Sequence, residues 1–160
     1  MDLSVFITKT GMERLQKRIN ELMTERPEVI KAVAVAREFG DLSENAEYKA
    51  ARERQRAIDS EIDFLRRRSS QLKVVDPSSL PKDAVRFGST CRTRDEATQE
   101  EISFKVVGAA ELNFYDEETH MQVVSVISPI GKGLLGRKVN EIAVISAPMG
   151  ERRLKILEIN

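Results

Sequence analysis

Two carboxylates, Asp41 and Glu44, stand three residues apart in the stretch Phe39-Gly40-Asp41-Leu42-Ser43-Glu44-Asn45. Carboxylate oxygens are the ligands that a hard cation such as Mg²⁺ takes. Two are too few for a dedicated protein site, so metal chemistry there needs further ligands from a partner. The same spacing is that of a helix-capping box, with Asp41 as the cap and Glu44 at the third helical position. Spacing alone leaves both readings open. Next to the acids lie cations. Lys49, Arg52 and Arg56 share one helical stripe, and Arg37 stands at a similar height before the acids. A phosphate backbone would find such a stripe. The alternative is a solvated flank with ion pairs such as Arg52 with Glu38 or Arg56 with Glu53.

These residues are positioned by two helical runs that mirror each other. Before the acids an apolar seam reads Met12, Leu15, Ile19, Leu22, Arg26, Val29, Val33, Ala36. After them it reads Tyr48, Ala51, Gln55, Ile58, Ile62, Leu65, Ser69, Leu72. Both alternate steps of three and four, the spacing of a coiled coil. The two sets are symmetric about residue 42, so an antiparallel hairpin folding there brings each pair to one height. Arms of about 27 residues are on the order of 40 Å long at about 1.5 Å per residue. Thr8 or Thr10 is placed to cap the first arm, Thr10 with Glu13 as a capping-box partner. Pro27 predicts a kink or a break within it. Gly40 suits the left-handed end of the first arm. The second arm is expected from about residue 43, with Ala46, Ala50, Ala51 and Ala57 allowing close approach.

Beyond residue 72 the periodicity changes. Two prolines and two serines in the run from Asp76 to Pro81 mark a linker. Strands are expected over 85–94, 102–107, 122–127, 142–147 and 154–159, the last two as a hairpin, with a short helix at 129–135. The class is α+β: an N-terminal antiparallel helical hairpin over 1–75, a linker over 76–82, and a small β-rich domain over 83–160.

The chain has 160 residues and a formal net charge of zero, so no global field draws it to nucleic acid or membrane. No apolar run approaches a membrane span, and the first residues lack the basic start of a signal peptide. A single cysteine, Cys91, forms no internal disulfide and reads as a packed strand residue. The expectation is a soluble, cytoplasmic monomer. His120 sits in a polar surface segment. The glycine-rich run from Gly131 to Arg137 lacks the ending of a phosphate loop. No serine, cysteine and histidine set suggests nucleophilic catalysis.

The run Arg37-Glu38-Phe39-Gly40-Asp41-Leu42-Ser43-Glu44-Asn45-Ala46-Glu47-Tyr48, continued by Ala50-Ala51-Arg52-Glu53, resembles the bacterial Gre transcript cleavage factors. So does Val126-Ile127-Ser128-Pro129-Ile130-Gly131-Lys132-Gly133-Leu134-Leu135-Gly136. The Ala-Ala-Arg stretch is nearer the GreA branch. The resemblance implies that the coiled coil enters the secondary channel of bacterial RNA polymerase. It implies an FK506-binding-protein-like C-terminal domain that docks at the channel rim through Ser128 and Pro129, without prolyl isomerase activity. Asp41 would take a metal-ligand role, sharing Mg²⁺ with the polymerase and binding none tightly alone. Glu44 would position a water. Arg37 and Arg52, with Lys49 and Arg56 beside them, would face the nascent RNA 3′ segment of a backtracked complex. The chain would then be no enzyme itself but a stimulator of the polymerase's own cleavage. Ile127 departs from the family, where that position is often polar. Two other readings compete: an inhibitor occupying the same channel, and a coiled-coil scaffold.

Overall fold

A computed structural model of the protein describes residues 2–40, 45–116 and 120–160. Asp41 and Glu44, with Leu42 and Ser43 between them, lie outside the described residues. The chain divides into two compact units, one of Glu13–Gln71 and one of Met1–Met12 with Leu72–Asn160.

The first unit is the hairpin. Helix α1 spans Lys9–Arg37 and helix α2 spans Ala46–Gln71. At about 1.5 Å per residue they are roughly 44 and 39 Å long. Every seam position named above is buried or half-buried, so the chosen phase of both helices is the observed one. Leu15, Leu22 and Ile58 are fully buried, and Ile19, Ile62 and Leu65 nearly so. Ion pairs join the arms at matching heights: Arg18 with Glu61 (2.8 Å), Arg26 with Asp59 (2.6 Å) and Arg54 with Glu25 (2.6 Å). Arg26, the break in the apolar seam, is thus answered by a carboxylate across the hairpin. Two expectations are corrected. Helix α1 runs unbroken through Pro27. The proline removes one helical bond, to the Met23 carbonyl, but both residues are exposed and water can serve that carbonyl. The buried seam on either side holds the helix together. Ala46, Ala50 and Ala57 are exposed, and only Ala51 turns toward the seam. Of the two caps offered for the first arm, Thr8 is the one that serves, its Oγ1 accepting the Gly11 N–H at 3.0 Å.

The second unit is a five-stranded sheet ordered β5-β4-β3-β7-β6, from β3 (Thr90–Asp95), β4 (Glu101–Val107), β5 (Met121–Ser125), β6 (Ile142–Ala147) and β7 (Gly150–Ile159). Only the β4–β5 pair is parallel; β6 and β7 form the expected hairpin. Alternation puts Cys91, Phe104, Val106, Ala143, Ile145, Leu154 and Ile156 in one core, closed by Leu134 of the short helix α3 (Pro129–Leu134). Residues 85–89 are not strand as expected but turn, with Ser89 Oγ accepting the Arg86 N–H. Strand β5 stops at Ser125 because that carbonyl turns to accept the N–H (3.0 Å) and hydroxyl (2.7 Å) of Ser128.

A second, two-stranded sheet pairs β1 (Phe6–Thr8) in parallel with β2 (Lys73–Val75). The structure therefore divides the chain differently from the 1–75, 76–82 and 83–160 expected. Residues 1–12 belong with the large sheet, and the expected linker carries a 3₁₀ turn, Pro77–Ser79, capped by Asp76. The reason is Glu111, which is fully buried. Its carboxylate accepts the Thr8 N–H (2.7 Å), the Thr8 hydroxyl, the Gly108 N–H (3.0 Å) and the Tyr115 hydroxyl (2.8 Å). A buried carboxylate needs such donors, and half of them come from the N-terminal segment.

Candidate functional site

At the distal end of the hairpin, α1 unwinds through tight turns. The N–H groups of Glu38, Phe39 and Gly40 bond the carbonyls of Val35, Ala36 and Arg37. Gly40 takes φ +99°, the left-handed conformation that terminates a helix and that L side chains resist. Helix α2 begins at Ala46, later than expected, and its cap is Asn45. Asn45 Oδ1 accepts the Tyr48 N–H at 3.0 Å, while Nδ2 donates to the Ala36 carbonyl at 2.7 Å. One side chain closes both helices. The N-cap of α2 is thus held by Asn45; the capping-box reading of Asp41 and Glu44 falls on residues outside those described.

The basic residues gather around Tyr48. The Arg37 guanidinium lies over its ring, 5.6 Å from the centroid. Hydrogen bonding to Arg37, reinforced by the charges of Arg37, Arg52 and Arg56, holds the Tyr48 hydroxyl below the usual phenol range. Arg52 donates to Gln55 on its own helix at 3.1 Å. The ion pairs proposed for Arg52 with Glu38 and Arg56 with Glu53 do not form. Among the described residues, Lys49, Arg52 and Arg56 pair with no carboxylate, whereas Arg54 between them pairs with Glu25 of the other arm, and the pairs of Arg18 and Arg26 lie further from the tip. Toward its distal end α2 therefore carries three cations, Lys49, Arg52 and Arg56, without an ion-pair partner among the described residues. No group of three or more histidine, cysteine, aspartate or glutamate residues able to hold a metal occurs among the described residues.

In the second unit, Ser128 and Pro129 form a corner at the start of α3. Ser128 is the cap, its Oγ accepting the Gly131 N–H at 3.1 Å, and Pro129 is the first helical residue. Gly131 is required here, because a Cβ would stand 2.0 Å from the Ser125 carbonyl oxygen. The Ser128 hydroxyl is fully engaged within the chain. Pro129 is exposed, and Ile127 beside it is 41% exposed, so the accessible surface of this corner is apolar. Next to it opens an apolar cavity of about 430 Å³, lined by Leu112, Val123, Pro129, Ile130, Ile145 and Pro148 among others. Cys91 is buried, and burial pushes its thiol up to about 11, which fits a packing residue.

A long helical hairpin with a basic distal flank, followed by a small mixed sheet with this capped corner, is the organisation of a class of transcription elongation factor. The family model for the N-terminal part of these factors matches residues 5–74, and the GreA/GreB C-terminal model matches residues 80–160. The chain belongs to this GreA/GreB family. It is 42% identical over 147 residues to transcription elongation factor GreA of Rhodospirillum rubrum, covering 91% of this chain and 90% of that one. It is 39% identical over 160 residues to transcription elongation factor GreA of Pelobacter propionicus, covering 99% and 98%. It is thus a GreA-like member. A solved structure of GreA factor homolog 1 of Thermus thermophilus is 29% identical and covers 98% of this chain and 99% of that one, with a TM-score of 0.43.

Sequence reasoning missed two residues, Asn45 and Glu111. The signal for Asn45 was present, since asparagine immediately before a helical run is a preferred cap. For Glu111 there was none: its partner Thr8 is 103 residues away.

Proposed function

We propose that this protein enters the secondary channel of bacterial RNA polymerase and stimulates the polymerase's own cleavage of backtracked RNA near the 3′ end. The observation that carries the reading is the distal end of the hairpin. Asn45 caps α2, so the two acids before it are not needed as that cap, and Lys49, Arg52 and Arg56 behind them have no acidic partner among the described residues. Asp41 and Glu44 supply hard oxygen donors, which suit Mg²⁺ in kind but are too few in number, so the polymerase's own carboxylates complete the set. A cation held there would supply charge neutralisation at the phosphate and a more acidic bound water. Asp41 contributes the ligand oxygen. Glu44 accepts a hydrogen bond from the attacking water and orients it along the line of the breaking P–O bond. Arg37, Arg52, Arg56 and Lys49 hold the extruded RNA through its phosphates. The apolar corner at Ile127, Ser128 and Pro129 docks on the polymerase rim.

The test is to add the protein to backtracked polymerase and size the RNA products. The expected result is 3′-terminal cleavage, no nuclease activity from the protein alone, and a large fall for Asp41→Asn and Glu44→Gln with polymerase binding retained. Asp41→Asn is expected to recover partly at raised Mg²⁺, Glu44→Gln less. Normal cleavage by Asp41→Asn at limiting Mg²⁺ sinks the mechanism. Binding that blocks elongation without cleavage makes the protein an inhibitor of the same channel.

A further inference from the structure

We propose that Asn45 is a positioning residue for the tip acids, tying the two arms of the hairpin together at the ends of the segment that carries Asp41 and Glu44. The inference rests on the function proposed above for those acids. The side-chain amide serves one arm with each of its polar atoms. Nδ2 donates to the Ala36 carbonyl at 2.7 Å, and Oδ1 accepts the Tyr48 N–H at 3.0 Å. The partners dictate which atom is which, since a carbonyl accepts and an N–H donates. The Ala36 carbonyl also accepts the Phe39 N–H at 3.2 Å. Without Asn45 the last turn of α1 is held by its own short bonds alone.

A helix cap by itself requires only an acceptor, and serine or aspartate performs that task as well as asparagine. The second contact, across to the other arm, requires a donor at the same time and at the amide's reach. Aspartate has no donor, and serine is one bond shorter. The chain leaves α1 at Arg37 and re-enters helix at Ala46. The bridge therefore fixes the separation of the two ends of the tip, and Glu44 is the covalent neighbour of the bridging residue. Hydrolysis in line with a breaking bond tolerates little misplacement, with about 1 Å worth up to roughly a hundredfold in rate.

The experiment uses the full chain with backtracked polymerase and compares Asn45→Ser, Asn45→Ala and Asp41→Asn. Serine keeps the cap on Tyr48 and loses the bridge to Ala36. Asn45→Ser is expected to keep helical content, melting temperature and polymerase binding. Its cleavage rate at saturating protein should fall on the order of tenfold to a hundredfold. The Mg²⁺ concentration for half-maximal cleavage should rise, because a loosened carboxylate pair binds the shared cation less well. Asn45→Ala should show the same rise in Mg²⁺ requirement together with a lower melting temperature. Parental rate and Mg²⁺ dependence in Asn45→Ser overturn the inference and leave Asn45 a helix cap. A loss that tracks weaker polymerase binding, with unchanged Mg²⁺ dependence, overturns it as well. If Asp41→Asn cleaves normally, the underlying reading of the acids has failed. If Asp41→Asn is inactive while Asn45→Ser is normal, only the positioning role has.

Discussion

The side chains around Tyr48 separate electrostatics for binding from electrostatics for stability. Arg18, Arg26 and Arg54 each face a carboxylate on the other arm, while Arg52 meets only the neutral Gln55. Removing Arg52 therefore breaks one partly exposed neutral contact. Arg52→Ala is expected to shift stability by no more than about 0.5 kcal/mol, the usual range for surface changes. Its cleavage of extruded RNA should weaken, and the dependence of that cleavage on salt should become shallower by about one phosphate contact. The check is thermal unfolding beside cleavage measured across a salt series. A lowered melting temperature with unchanged cleavage assigns Arg52 to the fold.

The hairpin is a graded element, heavily packed in its proximal half and lighter toward the tip. Leu22 is fully buried and Val33 nearly so, and Val33 loses fewer atoms on truncation; the mirrored register sets Leu22 opposite Ile62 and Val33 near Ala51. Leu22→Ala should cost about 2–5 kcal/mol and Val33→Ala less, read as the two melting shifts. Equal shifts contradict the mirrored register. The ion pairs between the arms carry a pH response. Hydrogen bonding to Arg18 holds the Glu61 carboxyl below its ordinary value of 4.5, and Arg54 does the same for Glu25. A carboxylate whose folded value is depressed contributes stability that is present above its unfolded value and is lost as pH falls through the folded one. Melting temperature is therefore expected to hold from neutrality to about pH 4.5 and to decline below it. Glu61→Gln should start lower and decline less steeply, as followed by helical circular dichroism. Both acids are partly exposed, so the effect is screened and modest.

At the scale of the whole molecule, the N-terminal twelve residues complete the sheet unit. Glu111 is buried against Thr8, and β1 pairs with β2 at the entry to that unit. A fragment of residues 76–160, cut where composition suggests a linker, removes both Thr8 donors and leaves a buried carboxylate short of partners. Such a loss costs about 1–3 kcal/mol, and more for a charged group. The fragment should unfold at lower denaturant than the same unit in the full chain. Equal stability of the two shows that the N-terminal segment only covers the sheet.

The sequence by itself determined the two helices and their phase, because a seam of alternating threes and fours is a local periodic signal that burial then amplifies. It determined the order and approximate place of the five strands of the large sheet and of the short helix after Ser128 for the same reason, since alternation and a serine–proline start are written in adjacent residues. The motif around Asp41 and Glu44, with the cations after it, was legible as a motif. Tertiary structure alone decided the rest. Pro27 stays within one helix because the seam on both sides outweighs one missing bond and the freed carbonyl faces water. Residues 1–12 join the sheet because Glu111 needs donors that lie a hundred positions away in the chain. Asn45 bridges two arms because a donor and an acceptor that are remote along the backbone meet only when the hairpin closes. Each depends on groups brought together by folding, which no local pattern records.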